Sequence, residues 1–358
     1  LDEEKKMKNI VFIMNNIGDG GAERVGITVA KYLASHGNNV YIAKMFSTYN
    51  DYSVEGIKEV ITLPNAKNKV IKHLKRLIVF SNFCGKKKID TVIVMGVGDM
   101  MIHYFRKTHP KVNLILSERN DPTSQYSVDK VLGKRVNMFL EEADHVVFQT
   151  EDAKAYFSPE VQAKGVIIPN PIKPDLPEPF MGERRKEIVN FCRLNKQKNL
   201  PLLFEAFEKL HTEFPEYTLK IYGRGELREE LEKSITENRQ SAYIKIEDFA
   251  KNIHEKIRDA AMYVSSSDFE GISNSMLEAM AIGLPVICTD CPAGGARMMI
   301  KNGENGLLVP IRDAEALCQA MKYLINNPQK AQSLSKDSVK IKEKLSEEKI
   351  CQRWAKMV

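Results

Sequence analysis

Apolar residues in this chain gather into short unbroken runs, separated by longer stretches in which they recur every three or four positions. The runs at 9–17 (NIVFIMNNI), 39–46 (NVYIAKMF), 90–97 (DTVIVMGV), 112–118 (VNLILSE), 145–150 (HVVFQT) and 164–170 (KGVIIPN) read as strands. Their continuity, with no polar alternation, predicts parallel strands covered on both faces. Between the first two lie a glycine cluster, GDGGAE, and a helical pattern, RVGITVAKYLASHG, closed by Gly37. Strand, glycine-rich turn, helix, strand is a βαβ unit.

The pattern breaks at 169–180, where PNPIKPDLPEPF packs five prolines into twelve residues. Proline stiffens the backbone and is excluded from helix interiors, so this stretch predicts a linker. The alternation then restarts, with strands in EIVNFCRL (187–194), YTLKIYGRG (217–225), AMYVSSS (261–267), LPVICTD (284–290) and GLLVP (306–310). Helical patterns cover 199–214, 225–238, 275–282 and most of the remainder. The expected division is a domain over 1–168, a linker over 169–180, a domain over 181–340, and a C-terminal helix over 341–358 able to pack back on the first domain. Two successive α/β halves predict two Rossmann-like, doubly wound domains facing each other across a cleft. Ligands of such sheets bind beyond the carboxyl ends of the strands, which makes the cleft the default site.

Composition narrows the function classes. With 43 % hydrophobic and 28 % charged residues in 358, the chain has the balance of a globular protein of two domains. A net charge of +6, without zinc-finger spacing or an aromatic-glycine RNA signature, argues against nucleic acid. No run approaches the ~18 apolar residues of a spanning helix. The opening LDEEKKMKN is charged rather than apolar, so no secretory leader is expected and a cytoplasmic location is. The six cysteines then read as reduced thiols. Cys288 and Cys291 form a C-x-x-C, but without a second pair or matching histidines they predict buried thiols rather than a zinc site.

Candidate chemistry sits at the ends of predicted strands. Gly20 and Gly21 would allow close backbone approach of a ligand at a helix N-terminus, or merely a tight turn; the spacing is not that of a dinucleotide fingerprint. Arg193 and Lys198 in FCRLNKQKN put two cations after the first strand of the second domain, suited to a diphosphate or simply solvated. Gly223 and Gly225 mark either a phosphate turn or a plain one. In SSSDFEGISNSMLEAMAIGLPVICTD, Glu270 precedes a helix start and Glu278 lies one turn inside it. Ser275 and Glu278 fit a capping box, which would explain Glu278 by structure alone. A phosphate on the amides of Gly271 to Ser275, with a carboxylate on each side accepting hydroxyl protons, would explain both glutamates.

This arrangement resembles glycosyltransferase family 4, retaining enzymes of the GT-B fold. The resemblance rests on GGAER, SERNDP (117–122), IPNPI, FCRLNKQKNL, YGRGELREEL, the paired glutamates of EGISNSMLEAMAIGLPVI, and NGENGLLVP, in that order along nearly the whole chain. It implies that the second domain binds a nucleoside-diphosphate sugar, UDP-linked by family habit. Arg193 and Lys198 would hold the diphosphate and Glu270 the hydroxyls of the transferred sugar. Glu278 would take the ribose, and the segment Gly271, Ile272, Ser273, Asn274 and Ser275 would meet phosphate. The base would lie near 246–252, at Phe249, and Gly20 and Gly21 would let the first domain approach the diphosphate. Relatives often carry a histidine near Ser117 and a glycine near Asp248; this chain has neither, so Glu118 and Arg119 become the acceptor-side candidates, unless they pair with each other. With no D-x-D pair at a strand end, no metal and no cofactor are expected. The expected partners are the donor and a lipid-linked or surface-glycan acceptor; the competing functions are a sugar-nucleotide epimerase and a non-catalytic donor-binding subunit.

The most cationic window is 67–88, KNKVIKHLKRLIVFSNFCGKKK. Val70, Ile71, Leu74, Leu77 and Ile78 recur at helical spacing, with Lys69, Lys72, Lys75 and Arg76 on the other side. This predicts a helix packed by its apolar face with a solvated basic face, or one whose basic face docks on anionic lipid at the inner face of the cell membrane.

Overall fold

The structure, a computed structural model, describes residues 7–18, 20–47 and 52–358. Asp19 of the GDGGAE turn and residues 1–6, on which the leader reading rests, lie outside them. The chain divides into one unit of Leu1–Pro171 with Glu347–Val358, and a second of Ile172–Ser346.

The first unit is built on a seven-stranded sheet. Its elements are β1 (Asn9–Met14), α1 (Gly21–Ser35), β2 (Asn39–Lys44), β3 (Glu59–Thr62), α2 (Lys69–Lys87), β4 (Thr91–Val94) and α3 (Met100–Thr108). There follow β5 (Asn113–Ser117), α4 (Pro122–Tyr126), α5 (Lys130–Glu141), β6 (His145–Phe148), α6 (Glu151–Ala155), α7 (Pro159–Ala163) and β7 (Gly165–Ile167). The strand order is β3-β2-β1-β4-β5-β6-β7, with every pair parallel. The central strands are buried throughout, apart from Asn9 and Asn113 at the starts of β1 and β5, as their apolar runs require.

The second unit carries β8 (Arg185–Phe191), a 3₁₀ turn (Lys196–Lys198), α8 (Leu200–His211), β9 (Thr218–Tyr222), α9 (Arg228–Glu237), β10 (Ile244–Glu247), α10 (Ile253–Ile257) and β11 (Ala260–Ser265). Then come α11 (Asn274–Ala281), β12 (Val286–Thr289), α12 (Gly295–Met299), β13 (Leu307–Val309), α13 (Ala314–Asn326), α14 (Pro328–Ser338) and α15 (Ile341–Lys344). Its six parallel strands run β10-β9-β8-β11-β12-β13. The chain works outward from β8 in one direction and returns to β11 to work outward in the other. The point where the winding reverses therefore lies between β8 and β11, where an open α/β sheet forms a crevice. Leu203, Phe207 and Leu210 of α8 and Leu317, Cys318 and Met321 of α13 share one core cluster with Ile188, Ile221 and Val264 of the sheet.

The final helix, α16 (Glu347–Ala355), belongs to the first unit. Tyr32 of α1 donates its hydroxyl to Glu348 at 3.0 Å, and Asn113 donates to the carbonyl of Met357 at 2.7 Å.

One sequence expectation is reversed. The buried residues of α2 are Arg76, Phe80 and Cys84, whereas Val70, Ile71, Leu74 and Ile78 are exposed. Arg76 fixes this rotation: its guanidinium donates to the carbonyls of Pro64 at 3.0 Å and Met45 at 3.1 Å and lies over the Phe46 ring. Acceptors from two distant segments satisfy the buried cation, so the charged residue turns inward and the apolar ones outward.

Candidate active site

At the switch point of the second unit, the loops after β8 and β11 are laced together. The Asp268 amide donates to the Gln197 carbonyl at 2.9 Å, Ser266 Oγ to the Lys198 carbonyl at 2.9 Å, and Asn199 Nδ2 to Asp268 at 2.9 Å. These bonds bring two sequence-predicted residues into direct contact. Lys198 Nζ donates to Glu270 Oε1, with both side chains mostly buried. Gln197 Nε2 donates to Glu270 Oε2 at 3.1 Å and Ser267 Oγ to Oε1 at 3.0 Å. Burial alone would push the Lys198 ammonium down; the Glu270 carboxylate outweighs it and the net shift is upward. The cation is therefore kept charged in a place where water does little to stabilise it. Glu270 also lines a small pocket with Ser265, Ser267, Ser273, Thr289 and Cys291. Arg193, in the same loop as Lys198, has an exposed side chain.

The glycines of YGRG have a structural explanation. A Cβ on Gly223 would lie 2.0 Å from the Cys192 carbonyl oxygen, and one on Gly225 would lie 2.2 Å from that of Leu194. Backbone crosses backbone there: Leu194 donates to Arg224 at 2.9 Å, and Leu227 donates to Leu194 at 3.2 Å. These glycines hold the Arg193–Lys198 loop against the sheet. Gly295 plays the same part opposite the second loop, since a Cβ on it would lie 1.7 Å from the Gly271 carbonyl oxygen.

The capping box is corrected. The N-cap of α11 is Ser273, whose hydroxyl accepts from the Met276 amide, so Ser275 sits inside the helix and Glu278 lies too far along to reach back. Ser275 Oγ is instead shared with Tyr263 and Ser273, at 3.0 Å each. Glu278, 5 % exposed, meets His254 Nε2 at 2.8 Å, and His254 packs its ring edge-on to Phe191. Sequence reasoning missed His254, because a lone histidine in a five-residue helix carries no motif; only the fold sets it against Glu278. Phe249 is 49 % exposed and lies under the Arg224 guanidinium, 4.6 Å from the ring centre.

In the first unit, Gly20 is the extended N-cap of α1 and Gly21 its first residue. The space a Gly20 Cβ would take holds the carboxylate of Glu23, 1.9 Å away, folded back over the helix start. Glu118 and Arg119 follow β5 at the carboxyl edge of the same sheet, and their side chains do not pair. Glu118 is 3 % exposed; it accepts from the Arg119 and Asn120 amides at 2.8 and 2.9 Å and from the Tyr126 hydroxyl at 2.7 Å. Arg119 donates instead to Asn170 and, at 3.5 Å, to Ser117, leaving a buried Nε without an acceptor among the described residues. Burial lowers the Arg119 guanidinium to about 10 and raises the Glu118 carboxyl, the latter against its own hydrogen bonds.

Cys288 and Cys291 are buried free thiols; burial raises both, Cys291 to about 12. Among the described residues no group of three or more histidine, cysteine or acidic side chains could hold a metal ion.

Residues 175–340, most of the second unit, match the family described as glycosyl transferases group 1. The similarity to this family thus covers most of the second unit. It is 28 % identical over 372 aligned positions to an uncharacterized glycosyltransferase of Haemophilus influenzae, covering 97 % of this chain and 99 % of that one. It is also 26 % identical to the Campylobacter jejuni N-acetylgalactosamine-N,N'-diacetylbacillosaminyl-diphospho-undecaprenol 4-alpha-N-acetylgalactosaminyltransferase, over 90 % of this chain and 91 % of that one. Among solved structures, Anabaena Alr3699/HepE in complex with UDP superposes with a TM-score of 0.81 at 16 % identity, over 98 % of this chain and 99 % of that one. The two parallel sheets are those of the GT-B fold. The comparisons support a glycosyltransferase using nucleotide-sugar donors.

Proposed function

We propose that this glycosyltransferase moves a sugar from a UDP-linked donor to a hydroxyl of a lipid-linked or surface-glycan acceptor, with retained configuration. The observation that carries the reading is the Lys198–Glu270 pair at the β8/β11 switch point. Breaking the anomeric C–O bond puts negative charge on the departing diphosphate. Lys198, already charged and desolvated, and Arg193 beside it answer that charge without rearranging solvent. Glu270 shares itself between Lys198 and the hydroxyls of the transferred sugar. Glu278, oriented by His254, takes the ribose; Phe249 with Arg224 flanks the base; the segment Gly271, Ile272, Ser273, Asn274 and Ser275 meets phosphate at the start of α11. Acceptor contacts fall to Arg119, while Glu118 holds its loop. The Anabaena protein's UDP supports the base, and the lipid-diphosphate substrate named for the Campylobacter enzyme supports the acceptor class. The reading includes contact of residues 67–88 with an anionic membrane.

A thermal-shift panel of nucleotide sugars followed by transfer assays tests it. A donor at 100 times its dissociation constant adds ~2.7 kcal/mol, so the true one stands out. UDP-sugars are expected to stabilise the protein and to be consumed only when a glycan acceptor is present. Conversion of the donor to its epimer without acceptor, or stabilisation with no turnover in any pairing, would overturn the assignment.

A further inference from the structure

We propose that α2 is an interfacial helix, which lies flat on an anionic lipid surface with Val70, Leu74 and Ile78 sunk among the headgroups. The inference rests on the reading of residues 67–88 as a membrane contact and specifies the face that makes it. That face is the apolar one, not the basic one the sequence pointed to.

Val70, Leu74 and Ile78 are 76, 56 and 51 % exposed, and Ile71 beside them is 48 % exposed. Single exposed apolar residues are ordinary, but these recur every four positions and form a continuous ridge along one side of a helix. The ridge cannot roll inward, because Arg76 is anchored to the Pro64 and Met45 carbonyls and Phe80 and Cys84 fill the core beneath. Exposed Lys67, Lys69 and Lys75 accompany it, and no carboxylate occurs between Glu59 and Asp90. The chemistry is that of a lipid surface: apolar side chains for the acyl boundary, ammonium groups for anionic headgroups. A second copy of this chain is a poor occupant, since pairing ridge to ridge would crowd the lysines together. No helix among the described residues is long and apolar enough to cross a membrane, so α2 lies on the surface rather than spanning it.

Flotation of the full chain with phosphatidylglycerol-containing vesicles, against pure phosphatidylcholine vesicles, tests the proposal. Wild type is expected to float with the anionic vesicles and less with the neutral ones, and added salt should weaken the binding. Leu74→Asp with Ile78→Asp should lower vesicle affinity at least about tenfold, since it removes apolar burial. Lys69→Glu with Lys75→Glu should lower it similarly, each lysine contributing roughly fivefold. Stabilisation by UDP should be unchanged in both variants, which shows that they fold. Wild-type flotation of the Asp variant would overturn the proposal, as would a wild type indifferent to anionic lipid. So would a ridge mutation that turns a dimer into a monomer in sedimentation without changing flotation. If UDP fails to stabilise wild type while flotation behaves as expected, the donor reading falls and this one stands.

Discussion

Each unit sets a glutamate and a cation at the carboxyl edge of its sheet, and the two use them in opposite ways. Glu270 and Lys198 come from loops 72 residues apart and meet directly. Glu118 and Arg119 are adjacent in sequence and do not meet: the carboxylate is consumed by two amides and a phenol, and the guanidinium looks elsewhere. The first pair is two side-chain tips, brought from separate loops, that bond each other directly. The second sets a locked structural acid next to an arginine whose Nε has no acceptor among the described residues. Proximity in sequence is thus a poor guide to which acid and base act together; the switch-point topology is a better one.

The largest expected effect tests the first pair. Lys198→Ala and Glu270→Ala should each lower turnover by ~10²–10³, with the fold intact by circular dichroism. If the residues act as a unit, the double variant costs about the same as either single one rather than the product. Multiplied losses would mean that they work independently. Next, Glu118→Ala should act on stability: it strands two amides and a hydroxyl, worth about 3 kcal/mol in a urea melt, while donor binding stays as in wild type. Loss of turnover without loss of stability would erase the contrast between the two acids. A smaller effect is expected at His254. His254→Ala should weaken UDP binding by about three- to tenfold, leave turnover at saturating donor within about twofold, and recover with His254→Gln. An equal loss for 2′-deoxy-UDP would detach His254 and Glu278 from the ribose.

The smallest effect is in pH. The Lys198 ammonium is raised above 10.5, so its charge is complete below that value and lost only as pH rises through the higher folded one. UDP stabilisation should stay level from about pH 7 to 9.5. The Arg119 guanidinium, lowered to about 10, begins to lose its proton at the top of that range. KM for the acceptor should therefore climb there while donor affinity does not; a parallel climb would place both cations on one ligand.

Much of this fold was legible because parallel strands covered on both faces must be continuously apolar, and the central strands are. Two strands escaped the sequence reading, β3 (EVIT) and β10 (IKIE). Both are four-residue edge strands with half-exposed residues, so their pattern resembles loop. The Lys198–Glu270 neighbourhood was expected from strand-end chemistry and from the family resemblance. Its support Gln197 was not, nor was His254 beside Glu278, since each acts through a partner distant in sequence. Arg76 was misread for the same reason: periodicity sees a charge among apolar neighbours, but not two carbonyls from other segments waiting for it.

The glycine crossings at Gly223 and Gly225 bear on how such a protein can diversify. Main-chain bonds to Arg224 and Leu227 secure the Arg193–Lys198 loop through its backbone at Leu194. A loop held by its main chain keeps its path when a side chain on it changes. A descendant of this chain could thus trade one leaving group for another through a few substitutions, on a scaffold that does not register the change.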